Sequence, residues 1–582
     1  MNIKQFVPAL EWLPKYTKKQ FSGDLSAGLT VGVMLIPQGM AYSMLAGLDP
    51  IYGLYAVTLP LMAYAFLGTS RQLAVGPVAM VALLTASGIG GLAEAGSGHY
   101  VQLAFGLALL AGVIQLLLGV FRLGFLVNFL SHPVISGFTS AAALIIGLSQ
   151  LKHLLGINIP NSEHIHEIVL AAAQHIADTN PFTLALGLGG IALIIGVKRI
   201  HRSIPGSLIA VLAGILIVWV FGLTGQNVKI VGSVPGGLPS FVVPQLGLPD
   251  WQALIPVALT ISLVGFMESI AVAKAIQARH RDYKVDPNQE LIALGAANLF
   301  AGFFKAFPVT GGFSRTAVND QAGAKTGMAS FISAMLIVLT LLFLTPLFYY
   351  LPNAILASVI LVAVLGLIDV KEPMHLWKSN KTDFYMLMVT FVATLIVGIE
   401  KGIGLGVILS LVMVIYRTTK PHVAVLGQVP GTRTYRNLAR FDYLVEKDHL
   451  LIYRFDADLY FANVSFFKDS LEELVQQKGA ALKAIIINAE SINNLDSSAI
   501  LALEEVIGEN RKRGFEIAFT GVKGPIRDAM KKAHLIEKIG DNRFFLTIQD
   551  AVDACEAQCQ HREAGQNANQ YEHQDLAVQT NV

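Results

Sequence analysis

The sequence predicts a multi-pass α-helical membrane protein of fourteen segments, built as two inverted repeats of seven and followed by a small α/β domain. Three observations predict it. Of 582 residues, 54% are hydrophobic and only 14% charged, against about 25% charged in a typical soluble protein, so most of the chain requires a bilayer. Charges are sparse from about Phe21 to Tyr416 and dense from about Lys420, which marks two regions in different solvents. Lysines and arginines between the apolar segments alternate from many to few, as they do when successive loops lie on opposite sides of a membrane.

The elements follow in chain order. Residues 1–24 contain no apolar stretch with a cleavage site after it, so no signal peptide is expected. Trp12 and Tyr16 beside Lys15, Lys18 and Lys19 read instead as an interfacial segment. Residues 25–417 form the membrane domain. About twelve apolar segments are long enough to span or nearly so, near 25–45, 51–68, 101–121, 132–155, 182–198, 205–223, 252–276, 288–304, 328–350, 352–369, 382–399 and 401–417. Two more are short and broken: AVGPVAMVALLTASG, around Gly76 and Pro77, and FPVTGGFSRTAVNDQAGAKTG, Phe307–Gly327.

With the N-terminus in the cytoplasm and all fourteen segments crossing, the inner loops hold Arg71, Arg122, Lys198, Arg199, Arg202, Arg279, Arg281, Lys284, Lys325, Lys371, Lys378 and Lys381. The outer loops hold little beyond Lys229, Lys305 and Lys401. The asymmetry requires both short segments to count as crossings. Both termini are then cytoplasmic, in a multi-pass protein of the cell membrane. Each short segment comes third, after a segment with a polar break: PQGMAY (Pro37–Tyr42) in the first half and FMESIA (Phe266–Ala271) in the second. Seven crossings per half place the halves in opposite orientations, the plan of many secondary transporters.

Residues 418–433 are expected as a linker and 434–560 as the α/β domain. His449–Phe455, Lys483–Asn488 and Phe515–Thr520 read as buried strands, with helical periodicity over Ser465–Gln477 and Ser497–Arg513. Residues 561–582 are polar without a period, as in a disordered tail. Cys555, Cys559 and His561 are too few for a convincing metal site, so no metal or other cofactor is expected. No cluster resembles a nucleic-acid module, and the net charge of +2 argues for no such partner.

The short segments carry the chemistry. A helix N-terminus offers unpaired N–H groups and about half a positive charge, so two such ends facing each other at mid-membrane would hold an anion. Pro77 and the Gly311–Gly312 pair suit helix starts. Ser314 and Thr316 would add hydroxyl donors and Arg315 a full charge. The alternative is a re-entrant loop with Arg315 paired to a carboxylate. Gln38 is an amide inside a span and Tyr42 lies one turn later on the same face; both could line the anion's pocket, or Gln38 could simply bond a neighbouring helix. Glu268, inside a span, is a candidate coupling group or a structural partner of Arg315.

These residues support a resemblance. IPQGMAYSMLAGLDPIYGLYA (Ile36–Ala56) and SRTAVNDQAGAKTG (Ser314–Gly327) resemble signatures of the SulP family of anion transporters, the sulfate permeases, and the likeness runs over nearly the whole chain. The last domain is similar to a STAS domain, and NNLDSSAI (Asn493–Ile500) resembles the turn at which bacterial anti-sigma-factor antagonists are phosphorylated. The resemblance implies fourteen segments in core and gate domains, a cytoplasmic STAS domain and a homodimer. It implies an anion site between the third and tenth segments, which by position falls on Gln38, Tyr42, Val78, Phe313, Ser314, Arg315 and Thr316. Some relatives have an aromatic residue at the position of Val78. Sodium-coupled bicarbonate relatives have aspartate at Glu268 and a hydroxyl residue one turn on, where this chain has Val272. Proton-coupled sulfate relatives have glutamate, as here. Ser497 and Ser498 are possible regulatory sites at a helix N-terminus, or plain cap residues after Asp496.

The expected function is secondary transport of a small anion, with sulfate–proton symport first. Bicarbonate or dicarboxylate uptake and anion exchange remain alternatives, as does an anion sensor with the STAS-like domain as output. The membrane region has no nucleotide-binding loop, nucleophile elbow or metal-ligand cluster, so neither an enzyme nor an ATP-driven pump is expected.

Overall fold

The computed structural model describes residues 7–125, 131–159, 165–200, 205–280 and 282–558. Arg202, Arg281, Cys559, His561 and the tail 561–582 lie outside them. The chain divides into two compact units, Met1–Leu411 and Val412–Val582.

The first unit is helical. Seven described helices are long and apolar enough to cross a membrane: Lys18–Leu45, Pro50–Leu67, Gly98–Val120, His132–Leu155, Pro181–Ile200, Leu248–His280 and Met328–Phe348. Six helices position the site: α1 (Lys18–Leu45), α2 (Ala79–Gly90), α3 (Gly98–Val120), α4 (Leu248–His280), α5 (Pro287–Phe303) and α6 (Phe313–Gln321). A capping box starts α1: Gln20 N–H donates to Thr17 Oγ1, and Thr17 N–H to Gln20 Oε1. Asp286 caps α5, with Pro287 in the first turn. Gly39 of α1 and Gly53 of the helix Pro50–Tyr55 meet backbone to backbone; a Cβ on Gly53 would lie 1.9 Å from the Gly39 carbonyl oxygen. Only glycine permits that approach.

The broken segments are half-helices. At about 1.5 Å per residue, the 12 residues of α2 and 9 of α6 reach about 18 and 14 Å, roughly half of a ~30 Å hydrocarbon core. Each follows a two-residue strand, β1 (Val75–Gly76) or β2 (Thr310–Gly311). The strands pair antiparallel, Val75 opposite Gly311 and Gly76 opposite Thr310, and Gly312 N–H donates to Ala74 O at 3.1 Å. Irregular backbone at membrane depth must find partners within the protein, and each strand serves the other. Pro77, expected in a first helical turn, lies outside the helix: Val78 is the N-cap. Two helices, Ile165–Gln174 and Lys371–Ser379, are absent from the expected segments because they are amphipathic rather than continuously apolar.

The second unit holds a six-stranded sheet in the order β4-β3-β5-β6-β7-β8. Its strands are β3 (Val423–Gln428), β4 (Tyr435–Asn437), β5 (Leu450–Phe455), β6 (Ala484–Asn488), β7 (Glu516–Thr520) and β8 (Phe544–Phe545). The run β5 to β8 is parallel, while β3 pairs antiparallel with β4 and β5. Both faces are covered. Leu451, Tyr453, Ile485, Ile487 and Phe519 pack beneath helices that include Val464–Lys478 and Ser497–Lys512. Leu450, Ile452, Ile486 and Ala518 pack with Ala551, Val552 and Cys555 on the other side. Burial on both faces explains the continuous apolar runs. The expected linker 418–433 is corrected by β3, which lies inside it and joins the sheet.

Candidate anion-binding site

Because β1 and β2 are antiparallel, α2 and α6 leave the ladder in opposite directions with their N-termini towards each other. The N-caps are Val78 and Gly312, and neither supplies a capping side chain. First-turn amides have no partner within their own helix, so both ends present N–H groups and dipole charge to the space between them.

Arg315 joins the two half-helices. It is only 1% exposed, and its Nη1 donates to the carbonyl of Pro77 at 2.5 Å, just before the cap of α2. The guanidinium lies against Gly312, where a Cβ would fall 2.8 Å from Nη2 and 3.1 Å from Cζ and Nε. Nε and Nη2 are buried with no acceptor among the described residues. Tyr42 and Glu268 are within electrostatic reach, but no ion pair within 4.0 Å joins Glu268 to Arg315. Tyr42 and Gln38 are buried on α1, and Gln38 Oε1 has no donor among the described residues. Val78 is buried and makes an apolar side. Phe313 and Ser314, at the tip of α6, are exposed. The structure thus gathers Val78, Phe313, Ser314 and Arg315 at the facing helix ends, with Tyr42 and Glu268 around the guanidinium.

Thr316 has a different part from the one expected. Its Oγ1 donates to Gly312 O at 2.7 Å and accepts from Ala74 N–H at 3.1 Å. Its only proton is committed, so it braces α6 against the residue before β1 and leaves donation to Ser314. Ser269, next to Glu268, was not anticipated. Gly311 N–H donates to Ser269 Oγ at 2.7 Å, the Ser269 and Thr310 hydroxyls are 2.7 Å apart, and Thr310 donates to Gly265 O at 2.6 Å. With the Thr310 proton spent on Gly265, Ser269 is the donor between the hydroxyls, and the chain of bonds ties α4 to β2. Asn298 of α5 grips Val309 by both backbone groups, at 2.7 and 3.0 Å. At the far end of α6, Asp320 meets His280 in a short contact and Arg279 at 3.7 Å.

Two carboxylates missed by sequence reading are fully buried, Asp24 and Glu290. Asp24 accepts from the amides of Lys325 and Thr326 and the hydroxyls of Thr326 and Tyr16, at 2.6–3.0 Å. Glu290 accepts from the amides of Thr69 and Ser70 and the hydroxyls of Thr69 and Tyr64, at 2.6–2.9 Å. The donor sets match: two successive amides, one threonine, one tyrosine. One carboxylate fixes the loop after α6 and the other the loop before β1. The pattern of a lone acid near a helix start is their only sequence signal.

A cavity of about 760 Å³ opens elsewhere in the unit, lined by Met44 of α1, Leu83, Ser87 and Gly90 of α2, and Lys152. In the second unit, Asp496 caps the helix Ser497–Lys512 by accepting from Ala499 N–H at 2.8 Å. Ser497 is exposed and Ser498 half-buried in its first turn.

Comparison with known proteins agrees with this architecture. The sulfate permease family model matches residues 21–390 and the STAS domain model residues 443–551. The chain is 38% identical to the chloroplastic sulfate transporter 4.1 of Arabidopsis thaliana, over 95% of this chain and 83% of that protein. It is 35% identical to high affinity sulfate transporter 2 of Stylosanthes hamata, over 95% and 86%. The murine Solute Carrier 26 family member A9 anion transporter, solved in an inward-facing state, superposes with a TM-score of 0.88 at 28% identity, over 95% of this chain and 94% of that one. The transmembrane domain of a cyanobacterial bicarbonate transporter shares the fold, with a TM-score of 0.59 at 23% identity over 68% and 98%. The chain belongs to the sulfate permease family of membrane transporters and carries a STAS domain C-terminal to its transport unit.

Proposed function

We propose that this protein is a secondary active transporter that carries sulfate with protons across the cell membrane. The observation that carries the reading is Arg315: a fully buried guanidinium, bonded to the carbonyl before one half-helix, seated at the N-terminus of the other, with two donors that no described residue accepts. An oxyanion between the helix ends would take those donors together with the first-turn amides and Ser314, with Gln38, Tyr42, Val78 and Phe313 as walls. Relatives named as sulfate transporters support sulfate over bicarbonate, as does Val272 in place of a hydroxyl that could help bind sodium.

Fourteen crossings as seven plus seven, in core and gate domains, fit the order of elements. A long helix, a helix pair or single helix, a strand and a half-helix recur from α1 and again from α4. Cytoplasmic termini follow from the lysine and arginine asymmetry, a homodimer from the family resemblance, and Ser497 or Ser498 as regulatory positions from their place at a helix N-terminus.

Glu268 is the coupling group in this reading. An anion beside Arg315 is repelled by a charged Glu268 and not by a protonated one, so anion and proton bind cooperatively and reciprocally. Sulfate affinity should therefore improve as pH falls through the titration of Glu268. Radiolabelled sulfate uptake into proteoliposomes, with proton and sodium gradients imposed separately, tests this. An inward proton gradient should drive accumulation and sodium should not. Glu268→Gln should bind sulfate with little pH dependence and fail to concentrate it. Uptake driven by internal anion alone would make the protein an exchanger, and binding without flux would make it a sensor.

A further inference from the structure

A cavity of about 430 Å³ lies in the membrane unit, walled by the N-terminal segment, the loop leading to β1, the loop after α4 and the loop after α6. Three cations line it, Lys15, Arg71 and Lys284, against two carboxylates, Glu11 and Asp282. Arg71 donates to Asp282 at 2.9 Å and lies over the Tyr283 ring, 5.0 Å from its centroid. That pair neutralises itself and is held in place. Lys15 and Lys284 are in no ion pair among the described residues, so the remaining balance is two ammonium groups against Glu11. Trp12 also lines it, its ring tilted 60° to that of Tyr16 with the centroids 5.9 Å apart. The walls are fixed: Thr69 and Ser70 are gripped by Glu290, and Thr326 by Asp24.

We infer that this cavity binds a phosphate-bearing headgroup, supplied by an anionic lipid of the leaflet at which the N-terminal segment lies. Two flexible ammonium groups lining one chamber suit a compact dianion or monoanion rather than a neutral headgroup. The tryptophan and tyrosine are side chains that favour the headgroup level, and Lys18 and Lys19, next in sequence at the start of α1, add attraction to an anionic surface. The wall residues Thr69, Ser70 and Thr326 belong to the loops flanking the two half-helices. A headgroup held there would bind the N-terminal segment to both loops and restrain them together, which makes lipid composition a regulator of these loops without touching the anion site.

The test uses full-length protein purified in detergent, with thermal unfolding read after addition of phosphatidylglycerol, phosphatidylcholine or inorganic phosphate. Arg315→Ala is the background for the phosphate arm, because sulfate-like anions also enter the central site. Phosphatidylglycerol should raise the midpoint by several degrees in the wild type and in Arg315→Ala, and phosphatidylcholine should not. Lys15→Gln with Lys284→Gln should lose at least half of the rise, while Lys18→Gln with Lys19→Gln keeps most of it. The charge-keeping pair Lys15→Arg and Lys284→Arg guards against misfolding and should retain the rise. A rise with inorganic phosphate in Arg315→Ala that needs Lys15 and Lys284, without one from the lipid, would assign the site to free phosphate and overturn the lipid as its source. No rise in the wild type, or an equal rise in the Lys15/Lys284 glutamine pair, overturns the site.

Discussion

The two half-helices share a backbone plan and differ in almost every side chain. Both follow a strand of the same ladder, and both begin at a residue that offers no side-chain cap. Yet α2 (AMVALLTASGIG) has no charged residue and is buried from Ala79 through Thr85, whereas α6 (FSRTAVNDQ) carries Arg315 and Asp320 and exposes Phe313 and Ser314. The helix ends supply partial charge symmetrically, and the side chains break the symmetry. A second guanidinium on α2 would face the first in a small buried space and repel it. One cation reaching from α6 to the carbonyl of Pro77 serves both halves.

The largest effect should come from removing that reach. A hydrogen bond to a charged group contributes about 1.5–3 kcal/mol, so Arg315→Ala should weaken sulfate binding about tenfold or more, measured by calorimetry on folded protein. Arg315→Lys keeps a charge but not the fork that spans both helix ends, and should recover only part of the loss. Unchanged affinity in Arg315→Ala would mean the asymmetry between the halves is not used for binding.

The caps offer a second contrast. A methyl on Gly312 would press on the guanidinium 2.8 Å away and push it off the Pro77 carbonyl. Gly312→Ala should lower sulfate affinity by several-fold up to about tenfold with little loss of stability, at the scale of one charge-assisted bond. Val78→Ala, at the matching cap, leaves the backbone amides in place and should shift affinity less than Gly312→Ala does. Equal effects in titrations of the two variants would return the halves to equivalence.

How far such features can be read from sequence depends on whether their cause is local. Most apolar helices of the membrane unit, the breaks at Gly76–Pro77 and Gly311–Gly312, and strands β5, β6 and β7 come from runs of neighbouring residues. They lie within a few positions of where the sequence puts them, although α1 starts at Lys18, seven residues before the expected segment. Arg315 stands out because a cation in an apolar stretch needs a reason. The role of Thr316 was misread because its acceptor duty is to Ala74, 242 positions away, and nothing near residue 316 announces that. Glu290 looks like an ordinary acid in the first turn of a helix; its four donors come from residues 64–70. Ser269 was overshadowed by Glu268. The strand β3 went unread because VAVLGQ directly follows RTTKPH, and the charges there masked the alternation of its buried and half-buried residues.

The matched carboxylates sharpen the comparison further. Glu290→Gln or Asp24→Asn places an amide where only acceptors fit, at a cost of about 1–3 kcal/mol, and each should lower the thermal midpoint by a few degrees. Their effects on sulfate should differ. Asp24 fixes the loop after α6, which bears Arg315, while Glu290 fixes the approach to uncharged α2. Sulfate affinity should therefore fall more in Asp24→Asn than in Glu290→Gln, by about two- to fivefold if a fraction of a kcal/mol reaches the guanidinium. The reverse order, in calorimetry at matched temperature, would place the sensitive half at α2.

The smallest effect is expected in the second unit, where a charged cluster lies outside the proposed anion site. Burial works to raise the carboxyl of Asp456, but hydrogen bonds from Arg454, at 2.6 and 2.9 Å, and from His422, at 2.8 Å, outweigh it and hold the group below the usual carboxylate range. A carboxyl depressed in the folded state adds stability above its unfolded value, about 4, and loses it as pH falls through the folded one. The cluster is partly exposed, so the gain is at most about 1 kcal/mol. Asp456→Asn should therefore lower the unfolding midpoint by a degree or two at pH 7, and the gap to wild type should narrow below about pH 4. Sulfate affinity should not move, because every residue offered to the anion lies between α1 and α6. If calorimetry showed sulfate binding weakened in a folded Asp456→Asn protein, the site would not be confined to the two half-helices, and the contrast between them would describe only part of how the anion is held.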